Sequence, residues 1–268
     1  MSAMGGNQSG LVGRPPQLRV DQLTVRFGGV TALDRVSFEV EAGQVCGLIG
    51  PNGAGKTTLF DCVSRLTRPQ HGTIQFEGHD LLALEAHEVA ALGIARTFQH
   101  LGLFASLSVR ENVMLGGNHA CRAGFGAAAL RLPLVRREER ALRRRADQVL
   151  ERLNLAHLAA RPAGGLPYGT LKRIELARAL GAAPKLLLLD EPASGLSHGE
   201  VDELAEAIGA VRGDGGLTVL LVEHHMGMVM RMSDKVVVLD FGGKIAEGAP
   251  AAVREDPAVI QAYLGVPA

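Results

Sequence analysis

The chain has no tryptophan and only two tyrosines, and aromatic residues make up 4% of its 268 positions. Surfaces that bind nucleic acid in general rely on stacking rings and a basic face. The charge is balanced too: Lys and Arg number 28, Asp and Glu number 28, and the formal net charge is zero. These absences argue against a nucleic-acid partner. Cysteine is scarce: Cys46, Cys62 and Cys121 are scattered, with no C-x-x-C. An odd count at wide spacing reads as reduced thiols in a cytosolic protein. No run approaches the ~18 apolar residues that a membrane span needs. Residues 1–16, MSAMGGNQSGLVGRPP, lack the apolar centre of a signal peptide and read as a disordered tail. A soluble protein is expected, one that can still dock on a membrane protein.

Apolar residues make up 47% of the chain, and a chain of this length buries roughly 70–75% of its unfolded surface. One large α/β domain, or one with a helical insert, fits. LRVDQLTVRF alternates, and VSFEV, QVCGLIG and GTIQFEG follow as further short strands. TTLFDCVSRL reads as a helix. From about Ala83 to Leu166 the pattern turns helical, broken by the short strand ending in ARTFQ. KLLLLDE, LTVLLVEHH and KVVVLDFGGKI are apolar runs of the kind that form buried parallel strands. The span Arg131–Arg152 carries eight Arg against Glu138, Glu139, Asp147 and Glu151. It reads as a solvated helix face with pairs such as Glu139 to Arg143, rather than as a lipid or nucleic-acid patch.

GPNGAGKT, Gly50 to Thr57, matches G-x-x-x-x-G-K-[ST] in full. It follows an apolar strand and opens a helix, the context that confirms a phosphate loop. Gly50, Gly53 and Gly55 let the backbone wrap a phosphate without Cβ clashes. Lys56 reaches phosphate oxygens, Thr57 offers a hydroxyl to Mg²⁺, and Thr58 closes the α-phosphate side. Pro51, Asn52 and Ala54 complete the loop. LLLLDEP, Leu186 to Pro192, ends an apolar run in two acids. A carboxylate there is expensive to bury unless something compensates. Mg²⁺ would do so at Asp190, through water, leaving Glu191 to orient or deprotonate an attacking water. GGLPYGTLKRIELARAL, residues 164–180, is a glycine-rich turn running into an amphipathic helix, whose N-terminal N–H groups offer a seat to an anion.

The order of phosphate loop, Gln99, glycine-rich turn, LLLLDEP, ASGLSHGE and His224 resembles the ATP-binding subunit of an ABC transporter. The likeness covers the chain after residue 16. ARTFQHLGLFASLSVRENV and the ending DPAVIQAYLG look like the ATP-binding subunits of high-affinity branched-chain amino acid importers. The resemblance implies a P-loop NTPase core over residues 17–268. This core would carry an antiparallel β subdomain and a helical insert at about 100–166. It implies ATP and Mg²⁺ as ligands. Phe27 would stack on adenine, with core packing as the plainer reading. Gln99 would sense Mg²⁺ and the attacking water, and His224 rather than His225 would contact the γ-phosphate. Leu166, Pro167, Tyr168, Gly169 and Thr170 would face ATP held by another chain. They stand where the family has Leu-Ser-Gly-Gly-Gln, and Pro167 lacks the serine hydroxyl and an N–H. Ser197 stands where Asp or Asn is usual, in cross-dimer contact.

The implied partners are two transmembrane permease subunits, a second related ATPase or a second copy of this chain, and indirectly a periplasmic or extracellular substrate-binding protein. The implied place is peripheral, on the cytoplasmic face of the membrane. Alternatives are an ATPase of a lipid, lipopolysaccharide, amide or urea transporter, and a soluble ABC ATPase. A P-loop kinase would explain the phosphate loop but neither the glycine-rich turn nor His224.

Overall fold

The computed structural model describes residues 15–97, 101–118, 133–213 and 216–264. All but the last two residues of the expected tail lie outside them, as do Gln99, Cys121 and Arg131. The chain opens with β1 (Leu18–Phe27), β2 (Val30–Val40) and β3 (Val45–Ile49), then α1 (Lys56–Val63), β4 (His71–Phe76) and β5 (His79–Asp80). The middle holds α2 (Ala86–Ala91), β6 (Ile94–Arg96), α3 (Val109–Gly116), α4 (Pro133–Arg152) and α5 (Tyr168–Gly181). It closes with β7 (Leu186–Asp190), α6 (His198–Gly213), β8 (Thr218–Val222), α7 (Met226–Met232), β9 (Lys235–Asp240), β10 (Gly243–Gly248), α8 (Pro250–Glu255) and α9 (Pro257–Leu264).

Two sheets form. One is antiparallel, in the order β2-β1-β4-β5, and the other runs β10-β9-β3-β8-β7-β6. Within the second, β6, β7, β8, β3 and β9 are parallel and β10 is antiparallel to β9. The period-2 alternation of a strand explains the layering. Leu187, Leu189, Val219 and Leu221 face a core shared with α3, α4, α5 and α6. Leu186, Leu188, Leu220 and Val222 face the opposite core, shared with α1 and the antiparallel sheet. Central strands buried on both faces become near-continuous apolar runs, as LLLL and TVLLV are. KVVVLDFGGKI departs from the expected single parallel strand. Phe241 (φ 43) and Gly242 (φ 81) turn the chain back, so the run splits into β9 and an antiparallel edge, β10.

The helices α3, α4 and α5 pack on one another. Ser108 caps α3 in a reciprocal capping box with Glu111. Arg110 Nε donates to Asp147 at 2.6 Å, tying α3 to α4. The Arg-rich helix α4 buries a thin seam, Ala146 and Leu150, and leaves its basic residues outside it. Helix α5 is not the amphipathic helix that its sequence suggested. Lys172 and Glu175 are buried in it along with Ile174, Leu176, Ala177 and Leu180. It is enclosed by neighbours on several sides, so one polar face does not survive.

Candidate nucleotide site

The phosphate loop leaves the end of β3 at its junction with β9. Gly50 has φ 152, and a Cβ there would lie 2.1 Å from the Leu239 carbonyl oxygen. Gly55 has φ 100, and its Cβ would lie 2.4 Å from the Ala32 carbonyl oxygen. Both positions therefore exclude a side chain. Asn52, Gly53 and Thr57 are exposed, Pro51, Gly55 and Thr58 are half-buried, and Ala54 is buried. Lys56 is 6% exposed. Its ammonium donates to the carbonyls of Gly50 at 2.7 Å and Pro51 at 2.9 Å. Burial lowers its pKa, opposed by the charges of Glu191 and Asp190.

Asp190 closes β7 and is 5% exposed. Its carboxylate accepts from Arg96 Nη2 at 2.8 Å, and its backbone N–H donates to Thr97 Oγ1 at 3.3 Å. Glu191 follows in the left-handed region, φ 47, a conformation that is costly for a non-glycine residue and typical of functional turns. The turn aims its carboxylate at His224, with Oε1 2.7 Å from Nε2. The histidine is the one expected from the order of the sequence features, and it lies two residues beyond β8.

Sequence reasoning missed Glu223, which holds that turn. It is 2% exposed. One carboxylate oxygen accepts from Ala193 N at 2.6 Å, and the other from His224 N at 2.9 Å and His225 N at 3.2 Å. The segment after Glu191 and the segment bearing His224 thus share one buried carboxylate. Its signal was present: an acid directly after TVLLV repeats the pattern of LLLLD. Asn112 was also missed. It is fully buried and holds the loop after the Gln99 segment, exchanging hydrogen bonds with Phe104 N and O at 2.8 and 3.1 Å.

Phe27 ends β1 and is 54% exposed, which removes core packing as its explanation. Its hairpin, in which it pairs with Val30, stands beside the phosphate loop through the Ala32–Gly55 approach.

The glycine-rich turn forms a cluster built around Glu200. Leu166 is buried, Pro167 and Tyr168 are exposed, Gly169 is buried and Thr170 half-buried at the start of α5. A Cβ on Gly169 would lie 2.3 Å from Glu200 Oε1. Glu200 accepts from the Ser197 hydroxyl at 2.7 Å and the Ser197 N–H at 2.9 Å. These two bonds, with a further one from the Gly169 backbone, hold its pKa below the ordinary carboxylate value. One carboxylate therefore links the turn to the loop that carries Ser197, and Gly169 lets it approach. The signal for Glu200 was the Ser-x-x-Glu spacing that opens α6.

Among the described residues no cluster of three or more His, Cys, Asp or Glu could by itself hold a metal ion. Thr57, exposed in the first turn of α1, and Asp190, buried at the end of β7, each carry an oxygen of the kind that Mg²⁺ takes beside its waters and a substrate phosphate.

A phosphate loop between a strand and a helix, two acids closing a buried parallel strand and a histidine just past the next strand define a nucleotide-binding ATPase of the P-loop class. The chain belongs to the ABC transporter family, whose model matches residues 33–194, and it is an ATP-hydrolysing member. The model described as "Branched-chain amino acid ATP-binding cassette transporter" matches residues 244–268. The chain is 42% identical over 250 residues to the high-affinity branched-chain amino acid transport ATP-binding protein BraF of Pseudomonas aeruginosa, spanning 93% of this chain and 98% of that one. It is 40% identical to LivG of Escherichia coli K12 over the same shares. Among solved structures, the ADP conformation of an ATP-binding cassette of an ABC transporter superposes with a TM-score of 0.81 at 32% identity. That superposition covers 94% of this chain and all of the other.

Proposed function

We propose that this chain is the ATPase subunit of an importer for branched-chain amino acids, bound to the cytoplasmic face of the membrane by its permease partners. The observation that carries the ATPase chemistry is the Glu191–His224 pair, whose Oε1 and Nε2 lie 2.7 Å apart. The substrate class is supported by the near full-length similarity to BraF and LivG and by the matching C-terminal segment. No helix among the described residues is long and apolar enough to cross a membrane, which suits a subunit that docks on others.

In this reading the loop from Gly50 to Thr58 binds the phosphates of ATP through its N–H groups and the N-terminus of α1. Lys56 leaves its two loop carbonyls for the β- and γ-oxygens. Thr57 and Asp190 would hold Mg²⁺, with Gln99 a third contact, and the ion would neutralise charge on the phosphates. Glu191 takes the proton from the attacking water, and His224 fixes the carboxylate and contacts the γ-phosphate. Phe27 stacks on the adenine. Leu166 to Thr170 and Ser197 act across a dimer, on ATP held by a second, related ATPase. Closure of the dimer on ATP moves two permease subunits, because ATP binds the closed state better than the open one. A substrate-binding protein outside the membrane presents the cargo.

The test of the chemistry is Glu191→Gln. It is expected to keep ATP binding and to lose turnover by ~10²-fold or more, the contribution of a positioned general base. Normal phosphate release by that variant would remove Glu191 from the mechanism.

A further inference from the structure

Arg96 ends β6, three residues before Gln99, and none of the chemistry above uses it. Its side chain is 9% exposed. One terminal nitrogen donates to Asp190 at 2.8 Å and the other to Asp61 at 2.7 Å. The second nitrogen also lies 3.4 Å from Ser64 Oγ. The guanidinium sits over the Phe60 ring, 5.5 Å from its centroid. Asp61, Phe60 and Ser64 belong to α1 or its end, the helix that the phosphate loop opens. Three elements therefore meet on one buried cation: the helix after the loop, the strand before Gln99 and the strand carrying Asp190.

A carboxylate as buried as Asp190 needs a counter-charge. In this structure Arg96 supplies it, through a charge-assisted hydrogen bond. On the function proposed above, the same carboxylate serves Mg²⁺ when nucleotide is bound. The metal and a guanidinium N–H then draw on the same buried carboxylate. We infer that Arg96 is a positioning residue that competes with Mg²⁺ for Asp190. It balances Asp190 before the metal–nucleotide arrives and gives it up when the metal binds. Asp61 is the second anchor. It offers Arg96 a full ionic partner when Asp190 turns to the metal, so the cation is not left stranded. Because Arg96 sits on β6, that exchange reports metal binding to the segment that leads into Gln99.

The experiment measures binding, not turnover. A fluorescent ATP analogue, trinitrophenyl-ATP, is titrated into the full chain in EDTA and then against increasing Mg²⁺. For Arg96→Met, metal-free binding is expected to stay within about twofold of the parent. The Mg²⁺ concentration for half-saturation is expected to fall by about tenfold, since one charge-assisted competitor is gone. Asp61→Asn keeps Arg96 but weakens its alternative anchor, so its half-saturating Mg²⁺ is expected to rise. If Arg96→Met does not fold, Asp61→Asn carries the test alone. An unchanged or raised Mg²⁺ requirement in Arg96→Met, or an unchanged one in Asp61→Asn, overturns the inference. Absence of analogue binding to the parent chain would instead overturn the nucleotide site itself.

Discussion

Replacing Glu223 by glutamine probes the site through a carboxylate that holds two of its loops by their backbone N–H groups. The carboxylate accepts three backbone N–H bonds, at 2.6, 2.9 and 3.2 Å, from two loops. Glutamine keeps the shape but offers only one accepting atom. If its oxygen stays on Ala193, the amide nitrogen confronts two donors, His224 N and His225 N. If the amide flips, the nitrogen confronts Ala193 N. At least one bond to a charged acceptor is lost and at least one loop N–H is left without its carboxylate partner. That costs about 2 kcal/mol, which in a chain of this size lowers the melting temperature by roughly 4–8 °C. Glu223→Ala strands all three donors and is expected to cost more, about 3–5 kcal/mol. Thermal unfolding followed by circular dichroism measures both. The kinetic consequence differs from the stability one. Displacing the His224 backbone moves the partner of Glu191, so kcat is expected to fall while ATP affinity is kept. A Glu223→Gln protein that melts with the parent and turns over ATP normally would refute the role given to this carboxylate.

Gly55→Ala drives a Cβ toward the Ala32 carbonyl, 2.4 Å away, at a backbone angle few side chains adopt; it should cost at least ~3 kcal/mol and abolish nucleotide binding, as read by melting and an ATP titration. Gly169→Ala meets Glu200 Oε1 at 2.3 Å, so it should push Glu200 off Ser197. ATP binding by the isolated chain should then persist while turnover in the assembled transporter falls; loss of binding instead would place Gly169 in the chain's own phosphate site. Cys46 and Cys62 are buried free thiols whose pKa values are raised from 9.0 to about 12, burial being the leading cause. The unfolded chain releases these protons above pH 9.0 and the folded one holds them to about 12, so stability should decline across that window. Urea unfolding at several pH values should show a shallower decline for the Cys46→Ala, Cys62→Ala protein than for the parent.

Much of this molecule was legible because its signals are local. The phosphate loop is contiguous, and its glycines, lysine and threonine must be neighbours to do their work. The central strands were legible because burial on both faces writes LLLL and TVLLV directly into the chain. What escaped depended on partners distant in sequence. Glu223 reads as the polar end of a strand until Ala193, thirty residues away, is found donating to it. Arg96 is one arginine among many until Asp61 and Asp190 close on it from either side. The stretch TLKRIELARAL reads as an amphipathic helix, yet tertiary packing buries its Lys172 and Glu175. The β9–β10 hairpin was hidden because a buried strand and the edge strand after it share one apolar stretch, divided only by Phe-Gly-Gly.

Whether this chain drives a membrane transporter is read most plainly from what it holds on to. A tagged chain is purified from solubilised native membranes and the proteins that accompany it are identified. Two polytopic membrane proteins and a second, similar ATPase are expected in stable association. Recovery of ribosomal or DNA-bound partners, with no membrane protein present, would contradict it and leave the ATPase chemistry without a transporter to power.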